Sequence, residues 1–136
     1  MSLRSIPLIV VVLILYNVIV ALLGPEILSK LLLPEITMLS GGIWKFTWGD
    51  FIVLLTFILL FIEIVKATYT STSSLIDHGL SMLVFVACLI EFLIAPLAAN
   101  SVFFMIMVAA LIDVVAGYTI GIRVARRDIG FGGHGG

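Results

Sequence analysis

The stretch that decides the fold runs from Gly79 to Ile122 and reads GLSMLVFVACLIEFLIAPLAANSVFFMIMVAALIDVVAGYTIGI. A membrane-spanning helix needs about 20 mostly apolar residues. One helix over the longest charge-free window, Phe92–Ile112, would leave apolar sequence on both sides in water. Two helices bury all of it, and Pro96–Asn100 supplies residues that interrupt a helix. The stretch therefore predicts one span at about 79–95 and another at about 101–122.

The whole chain has the composition of an integral membrane protein. Of its 136 residues, 62% are hydrophobic and 11% are charged, against about 25% charged in an ordinary soluble domain. The net charge of −1 provides no basic surface for nucleic acid. The single cysteine excludes a disulfide framework and a cysteine-rich metal site. The sequence therefore predicts one domain in contact with the lipid bilayer, with no metal site and no nucleic-acid partner.

Two more apolar segments complete a set of four predicted spans. The first covers residues 6–24 and the second covers residues 49–65. Trp44 and Trp48 stand beside the start of the second segment, as tryptophans of an aromatic belt do at the membrane–water interface. We therefore expect an all-α fold, an integral membrane four-helix bundle, whose domain covers residues 1–129.

The distribution of basic residues predicts the orientation of the bundle. Lys and Arg in short loops and chain ends favour the cytoplasmic side. The two ends and the second loop hold Arg4, Lys66, Arg123, Arg126 and Arg127. The first and third loops hold only Lys30 and Lys45. Both termini are therefore expected in the cytoplasm, with the bundle in a bacterial inner membrane and a mobile glycine-rich tail at 130–136.

The first loop is too apolar for an ordinary connection. Glu26–Leu33 combines five apolar residues with three polar ones, which fits a short helix lying on the outer leaflet that Pro34 would end. Alternatively, the first helix continues past a kink at Pro25. In either case Gly41 and Gly42 let the chain turn toward the second span.

Each predicted span carries one hydrogen-bonding side chain near the middle of the membrane. These residues are Asn17, Thr56, Glu91 and Asp113. With about 1.5 Å of rise per residue, they lie roughly 14–18 Å from the cytoplasmic ends of the spans. Ionisable groups at such a depth are costly and need a structural or functional reason.

Glu91 and Asp113 are expected to meet, because a short turn makes the third and fourth helices antiparallel neighbours. Two carboxylates in a low dielectric do not both ionise cheaply, so the pair would hold at least one proton at neutral pH. Three hypotheses follow. The pair is a hydrogen-bonded contact that sets the helix register, or it meets a basic or polar group of a partner subunit, or it forms a proton or cation relay.

Small residues predict which helix faces pack closely. Ala87 and Ala95 share one stripe of the third helix with its carboxylate, and Gly117 and Gly121 lie on the fourth. The two glycines form a G-x-x-x-G pair, which allows close contact between membrane helices. We therefore expect these faces to point toward other helices and away from lipid.

The predicted cytoplasmic surface carries most of the remaining charged residues. Glu63 and Lys66 are spaced to form an ion pair at the end of the second helix, and Asp77 is placed to cap the third. His78 is either an ordinary interfacial residue or a proton donor beside a quinone or a lipid, and no other cofactor is expected. Three arginines fit anionic headgroups, a cytoplasmic partner domain, or a topology signal alone: Arg123, Arg126 and Arg127.

The order Glu63-x-x-Lys66, then His78, then a long apolar helix resembles the phosphate-starvation-inducible membrane protein family. The likeness covers this part of the chain, and Glu91 stands where the resemblance would place a basic residue. It implies a small membrane protein and no particular activity. More broadly, the chain looks like a four-span protein of a bacterial inner membrane.

The leading hypothesis for function is a non-enzymatic subunit or accessory component of a larger membrane protein complex, or a bundle that associates with itself. The small-residue stripes favour it, and four helices are too few to enclose a wide pathway. One alternative is a proton-coupled small transporter or channel that uses the mid-membrane carboxylate pair. A second alternative is a quinone- or lipid-linked membrane enzyme that acts near His78.

Overall fold

The computed structural model describes residues 6–69 and 75–135, and it describes side chains for 6–68, 79–120, 122 and 123. Most of the described chain is helical. The helices are α1 (Ile9–Leu23), α2 (Trp48–Tyr69), α3 (Leu75–Ile94) and α4 (Ser101–Gly135). Two three-ten helices cover Pro25–Ser29 and Pro96–Ala98, and an antiparallel hairpin pairs β1 (Ile36–Thr37) with β2 (Ile43–Trp44).

Two of the helices are long and apolar enough to cross a membrane. They cover Trp48–Thr68 in α2 and Ser101–Ile120 in α4. α1 and the Gly79–Ile94 part of α3 are apolar but shorter. The predicted helical class is confirmed, and the two long apolar helices support the predicted membrane class.

The break between α3 and α4 lies at the turn that the sequence predicts. Ala95 leaves the helix with extended backbone angles (φ −95°, ψ 118°), because the residue before a proline is disfavoured in the helical region. Asn100 then caps α4, since its Oδ1 accepts a hydrogen bond from the Phe103 N–H at 2.9 Å. α4 packs against both α3 and α2.

The helices extend beyond the predicted spans at the opposite end of this hairpin. α3 begins at Leu75, before the predicted Gly79, and α4 continues past Ile122 to Gly135, into the predicted tail. Hydropathy marks where a span must be apolar, whereas a helix also continues through residues of high helix propensity, such as alanine and the charged arginine.

The core receives residues from all four helices. Its largest fully buried side chains are Tyr16, Phe103, Ile9, Ile52, Ile106, Val12, Thr56 and Cys88. The Phe103 ring contacts the Tyr16 ring edge-on, with the ring centroids 5.1 Å apart, and stacks on the Phe92 ring with the centroids 6.4 Å apart. Large apolar side chains also cover the exterior, where Leu22, Phe61 and Leu83 are 77%, 68% and 65% exposed. Contact with acyl chains requires such an exterior, whereas water would disfavour it.

The first loop contradicts one expectation for it and agrees in part with the other. α1 ends at Leu23, because Gly24 has a φ of 83° and a proline follows, so a continued first helix is wrong. A short helix does follow, but it is a three-ten helix over Pro25–Ser29 that stops before Leu33. The backbone that would have continued it forms sheet bonds instead: Leu32 N–H donates to Phe46 O at 2.8 Å and Trp48 N–H to Lys30 O at 3.0 Å. We call this ribbon, residues 30–48, the β-arm.

Gly49 lets α2, α4 and the first three-ten helix approach one another. A Cβ at this position would lie 2.8 Å from Leu28 O and 2.9 Å from Val102 Cγ2. Leu28 O belongs to the backbone, so it cannot move aside unless the three-ten helix moves with it. The absence of a side chain at Gly49 therefore lets the first three-ten helix and α4 pack directly against the start of α2.

We predict that Gly49→Ala destabilises the protein by about 1–3 kcal/mol, the usual cost of overpacking. Gly79→Ala is the matched control, because nothing lies within 4 Å of its added Cβ, and alanine should stabilise a helix interior by about 0.5–1 kcal/mol. Unfolding by dodecyl sulfate in mixed micelles, followed by circular dichroism, measures both. A Gly49→Ala variant as stable as the wild type would contradict this account of the junction.

Candidate functional site

Two polar clusters lie among the helices. The Glu63 cluster consists of Glu63, Lys66, Ser81 and Asp113. The Tyr16 cluster consists of Tyr16, Asn17, Glu91 and Asn100. Between them they contain three of the four predicted mid-membrane residues.

Glu63 joins α2 to the start of α1. Its Oε1 accepts a hydrogen bond from the Leu8 N–H at 2.9 Å and contacts Lys66 Nζ at 3.4 Å. Leu8 is the N-cap of α1 and provides no side-chain bond, so the Glu63 carboxylate supplies an acceptor at a helix end where N–H groups lack partners. It also complements the positive end of the helix dipole. The predicted Glu63–Lys66 ion pair is formed, and the capping contact adds to it.

Asp113 joins α4 to α3 in the same cluster. Its side chain is 7% exposed, forms a hydrogen bond with Ser81, and interacts electrostatically with Glu63 and Lys66. Burial of a carboxyl group without such partners would be strongly unfavourable. Asp113 therefore faces other helices, among the small residues of its own helix.

Tyr16 and Asn100 are the centre of the second cluster. The Tyr16 hydroxyl donates to Leu97 O at 2.6 Å, and Asn100 Nδ2 donates to Tyr16 Oη at 2.6 Å and to Leu97 O at 3.2 Å. A tyrosine of α1 is thus bonded to the turn between α3 and α4. Neither residue was singled out from the sequence. A tyrosine amid an apolar helix and an asparagine before a helix start were the available signals.

Asn17 connects α1 to α3 at the edge of this cluster. Its Nδ2 donates to Leu13 O at 2.9 Å and to Glu91 Oε1 at 3.2 Å. Asn17 is exposed on the bundle and Glu91 is half-buried. Two of the predicted mid-membrane residues therefore meet, at the surface of the bundle and not in its centre.

Glu91 and Asp113 do not form the expected pair. Glu91 lies three residues before Ile94, the last residue of α3, so it is about 4.5 Å along the helix axis from the turn. Asp113 lies twelve residues after Ser101, the first residue of α4, so it is about 18 Å along the axis from the same turn. Their levels along the hairpin therefore differ by roughly 13 Å. The expectation measured depth from Gly79 and Ile122, and neither residue is a helix end in the structure.

Ala87 differs from expectation, whereas Thr56 faces other helices. Thr56 is fully buried, but its hydroxyl donates to Ile52 O at 2.7 Å within α2, a bond that threonine often makes in helices. Ala87 is exposed, whereas Cys88 is fully buried. The packed face of α3 is therefore centred one residue away from the predicted stripe, although Ala95 is half-buried.

The remaining predicted residues divide into described and undescribed ones. Gly117 is buried, Trp48 is half-buried, and Trp44 and Arg123 are exposed. The surroundings of five others lie outside the described residues: Asp77, His78, Gly121, Arg126 and Arg127. The expectation that Asp77 caps the third helix is wrong, because α3 begins at Leu75 and Asp77 lies within it. The expectations for the other four stay predictions.

A groove of about 390 Å³ opens between α2 and α4 near the start of both helices. Its polar end is Asp50, which forms a capping box with Thr47, the N-cap of α2. The Thr47 Oγ1 accepts a hydrogen bond from the Asp50 N–H, and Asp50 Oδ2 accepts one from the Thr47 N–H, both at 3.1 Å. The lining is otherwise mainly apolar: Val53, Leu54, Phe57, Ser101, Val102 and Met105. Within the described part of the chain, no group of three or more His, Cys, Asp or Glu residues is placed to hold a metal ion.

Comparison of the chain with protein families, with curated proteins and with solved structures finds no match. The resemblance to the phosphate-starvation-inducible membrane protein family therefore stays a prediction. Inferences about function rest on the geometry of the two clusters and of the exterior.

We predict that Tyr16→Phe destabilises the protein by about 1 kcal/mol, because it removes the hydroxyl and leaves Leu97 O and Asn100 with fewer bonds. The ring contact with Phe103 is kept. Asn100→Ser is the matched change, since serine still caps α4 but loses the bond to Tyr16. Dodecyl sulfate unfolding should give a double variant less destabilised than the sum of the single ones. Strict additivity would show that the two side chains are not coupled.

Proposed function

We propose that this protein is a non-enzymatic component of a larger membrane protein assembly, built as a four-span bundle. The observation that carries the proposal is how its polar groups are used. In the described part of the chain, every buried side-chain nitrogen and oxygen has a hydrogen-bond partner. Several of these bonds join one helix to another. Such groups stabilise a scaffold and are not available to a substrate.

The separation of the carboxylates favours this structural role over a proton relay. Between the levels of Glu91 and Asp113, α4 contributes Ile106, Ala109 and Ala110, all buried. Thr56 lies on the facing helix, but its hydroxyl is bonded to its own backbone. A relay needs a chain of exchangeable polar groups across the membrane, and the described residues at this level are mainly apolar.

A four-span arrangement with both termini in the cytoplasm is the finer part of the proposal. α1 and α3 are short for a span, but both are apolar and bonded to longer neighbours. In this arrangement the start of α1, the end of α2 and the Glu63 cluster face the cytoplasmic side. Lys66 and Arg123 then follow the positive-inside bias, and the β-arm lies on the opposite side.

The groove between α2 and α4 is where we propose that a partner transmembrane segment binds. It lies on the two helices long enough to span, and its lining is apolar below Asp50 and Ser101. Membrane helices associate through close packing and isolated polar contacts, because lipid already surrounds apolar side chains. A partner helix with a hydrogen-bond donor near its end fits this surface.

Cysteine cross-linking in native membranes tests the proposal. Cys88→Ala removes the single cysteine, and Leu54→Cys then places one in the groove, with Leu83→Cys on the exposed face of α3 as the control. A photoactivatable thiol reagent should give one discrete adduct from Leu54→Cys and little from Leu83→Cys. Native mass spectrometry of unmodified protein in mild detergent should show the same partner. A lone monomer without groove-specific adducts would refute the proposal.

The transporter alternative makes a different prediction for Asp113→Asn. If Asp113 is structural, the wild type and the variant should both give proton flux no greater than protein-free vesicles, and the variant should lose at most about 1–2 kcal/mol of stability. Vesicles that contain a pH-sensitive dye measure the flux. If the wild type carries proton flux and Asp113→Asn abolishes it, the scaffold proposal is wrong and the protein is a proton-coupled transporter.

A further inference from the structure

The β-arm has two chemically different faces. Successive side chains of a strand point to opposite sides, and Ile36 pairs with Trp44 while Thr37 pairs with Ile43. Trp44 and Phe46 share the Ile36 side, with ring centroids 5.6 Å apart. We call this side the Trp44 face.

The opposite face carries the charges of the hairpin. Lys45 Nζ lies 3.8 Å from Glu35 Oε1, and both side chains are well exposed. Thr37 and Ile43 lie on the same side. The pair leaves the hairpin, residues 35–45, without net charge, and its charged groups face away from Trp44.

The helices do not cover the Trp44 face. Every residue from Leu33 to Lys45 is exposed, including Ile36 and Trp44. At the hairpin tip, Met38 is about half-exposed and Leu39 is fully exposed. A two-stranded ribbon has no core of its own and is marginally stable in water, so this apolar surface needs a covering medium.

The position of the β-arm indicates which medium that is. The arm leads directly into α2 at Trp48, where the first candidate span begins, so its base lies at the membrane surface if α2 spans the bilayer. Tryptophan favours this interfacial region. Exposed apolar residues of α2 begin soon after Asp50, since Leu54 and Phe57 follow within three turns of the helix start.

We propose that the Trp44 face of the β-arm lies in the lipid interface on the side where α2 begins, with Ile36, Met38 and Leu39 among the upper acyl chains. The Glu35–Lys45 face then points to water. The inference rests on the spanning role of α2 in the proposed function. It does not depend on whether the bundle has a protein partner.

Tryptophan fluorescence tests the proposal, because the chain has two tryptophans. Trp48→Phe leaves Trp44 alone, and Trp44→Phe leaves Trp48 as the reference for interfacial depth. The full chain is reconstituted in phosphatidylcholine vesicles brominated in the upper or the lower part of the acyl chains, with iodide present on both sides. Trp44 should be quenched by upper-chain bromine to an extent similar to Trp48, and only weakly by iodide.

Two neighbouring substitutions provide the matched control within the Trp48→Phe background. Ile36→Asp places a charge on the Trp44 face and should abolish most bromolipid quenching of Trp44 while it increases quenching by iodide. Thr37→Asp places the same charge on the opposite face and should leave the quenching of Trp44 by bromolipid and by iodide unchanged. Equal effects of the two substitutions would overturn the assignment of faces.

Other results would overturn the lipid contact itself. Trp44 quenched by iodide but not by bromolipid would place the arm in water. Trp44 protected from both quenchers would mean that a second copy or another protein covers it. Loss of cross-linking with normal quenching would instead refute the proposed partner and leave the lipid contact intact, so the two failures are distinguishable.

Discussion

Hydrogen bonds from the side chains of one helix to side-chain or backbone groups of another element determine how this bundle is assembled. In a membrane, contact with a neighbouring helix and contact with lipid are almost equally favourable for an apolar side chain. Apolar packing therefore selects an arrangement only weakly, and polar contacts select it more strongly. α1 shows this clearly, because it is short and apolar and is bonded to its neighbours at three points. Glu63 of α2 accepts from the N–H of Leu8, the N-cap of α1. The Tyr16 hydroxyl donates to the turn after α3, and Asn17 donates to Glu91 of α3.

Close packing of small residues complements these bonds. Ala109, Ala110 and Gly117 are buried on α4, and Gly49 on α2 admits both Val102 and the backbone of the first three-ten helix. At these points helices approach closely enough for dispersion contacts to add up. The small residues set the distance between helices, and the two polar clusters set their register.

Some elements were predictable because a short sequence signal is sufficient for them. Pro96 and Asn100 end one helix and begin the next in any surroundings, and the Glu63–Lys66 spacing favours an ion pair on any helix. The first loop was not predictable in this way. Glu26–Leu33 has a pattern compatible with a short helix, but only its first half is helical, and the backbone of residues 30–32 pairs with residues 46–48. Such a pairing depends on contacts with a distant segment, which local periodicity does not report. The site was predicted only in part for the same reason: Asn17 does meet Glu91, but Ala87 is exposed and Tyr16 was missed.

The sequence by itself determined that the protein is helical, that it is too apolar for water, and that its last helices form a hairpin. These properties follow from composition and from single residues. Only the tertiary structure decided which polar groups meet. The relative level of Glu91 and Asp113 depends on how far each lies from the shared turn, and the partners of Tyr16 and Glu63 lie on other helices. Burial in a low dielectric makes these contacts decisive, because a buried polar group must find its partner within the protein.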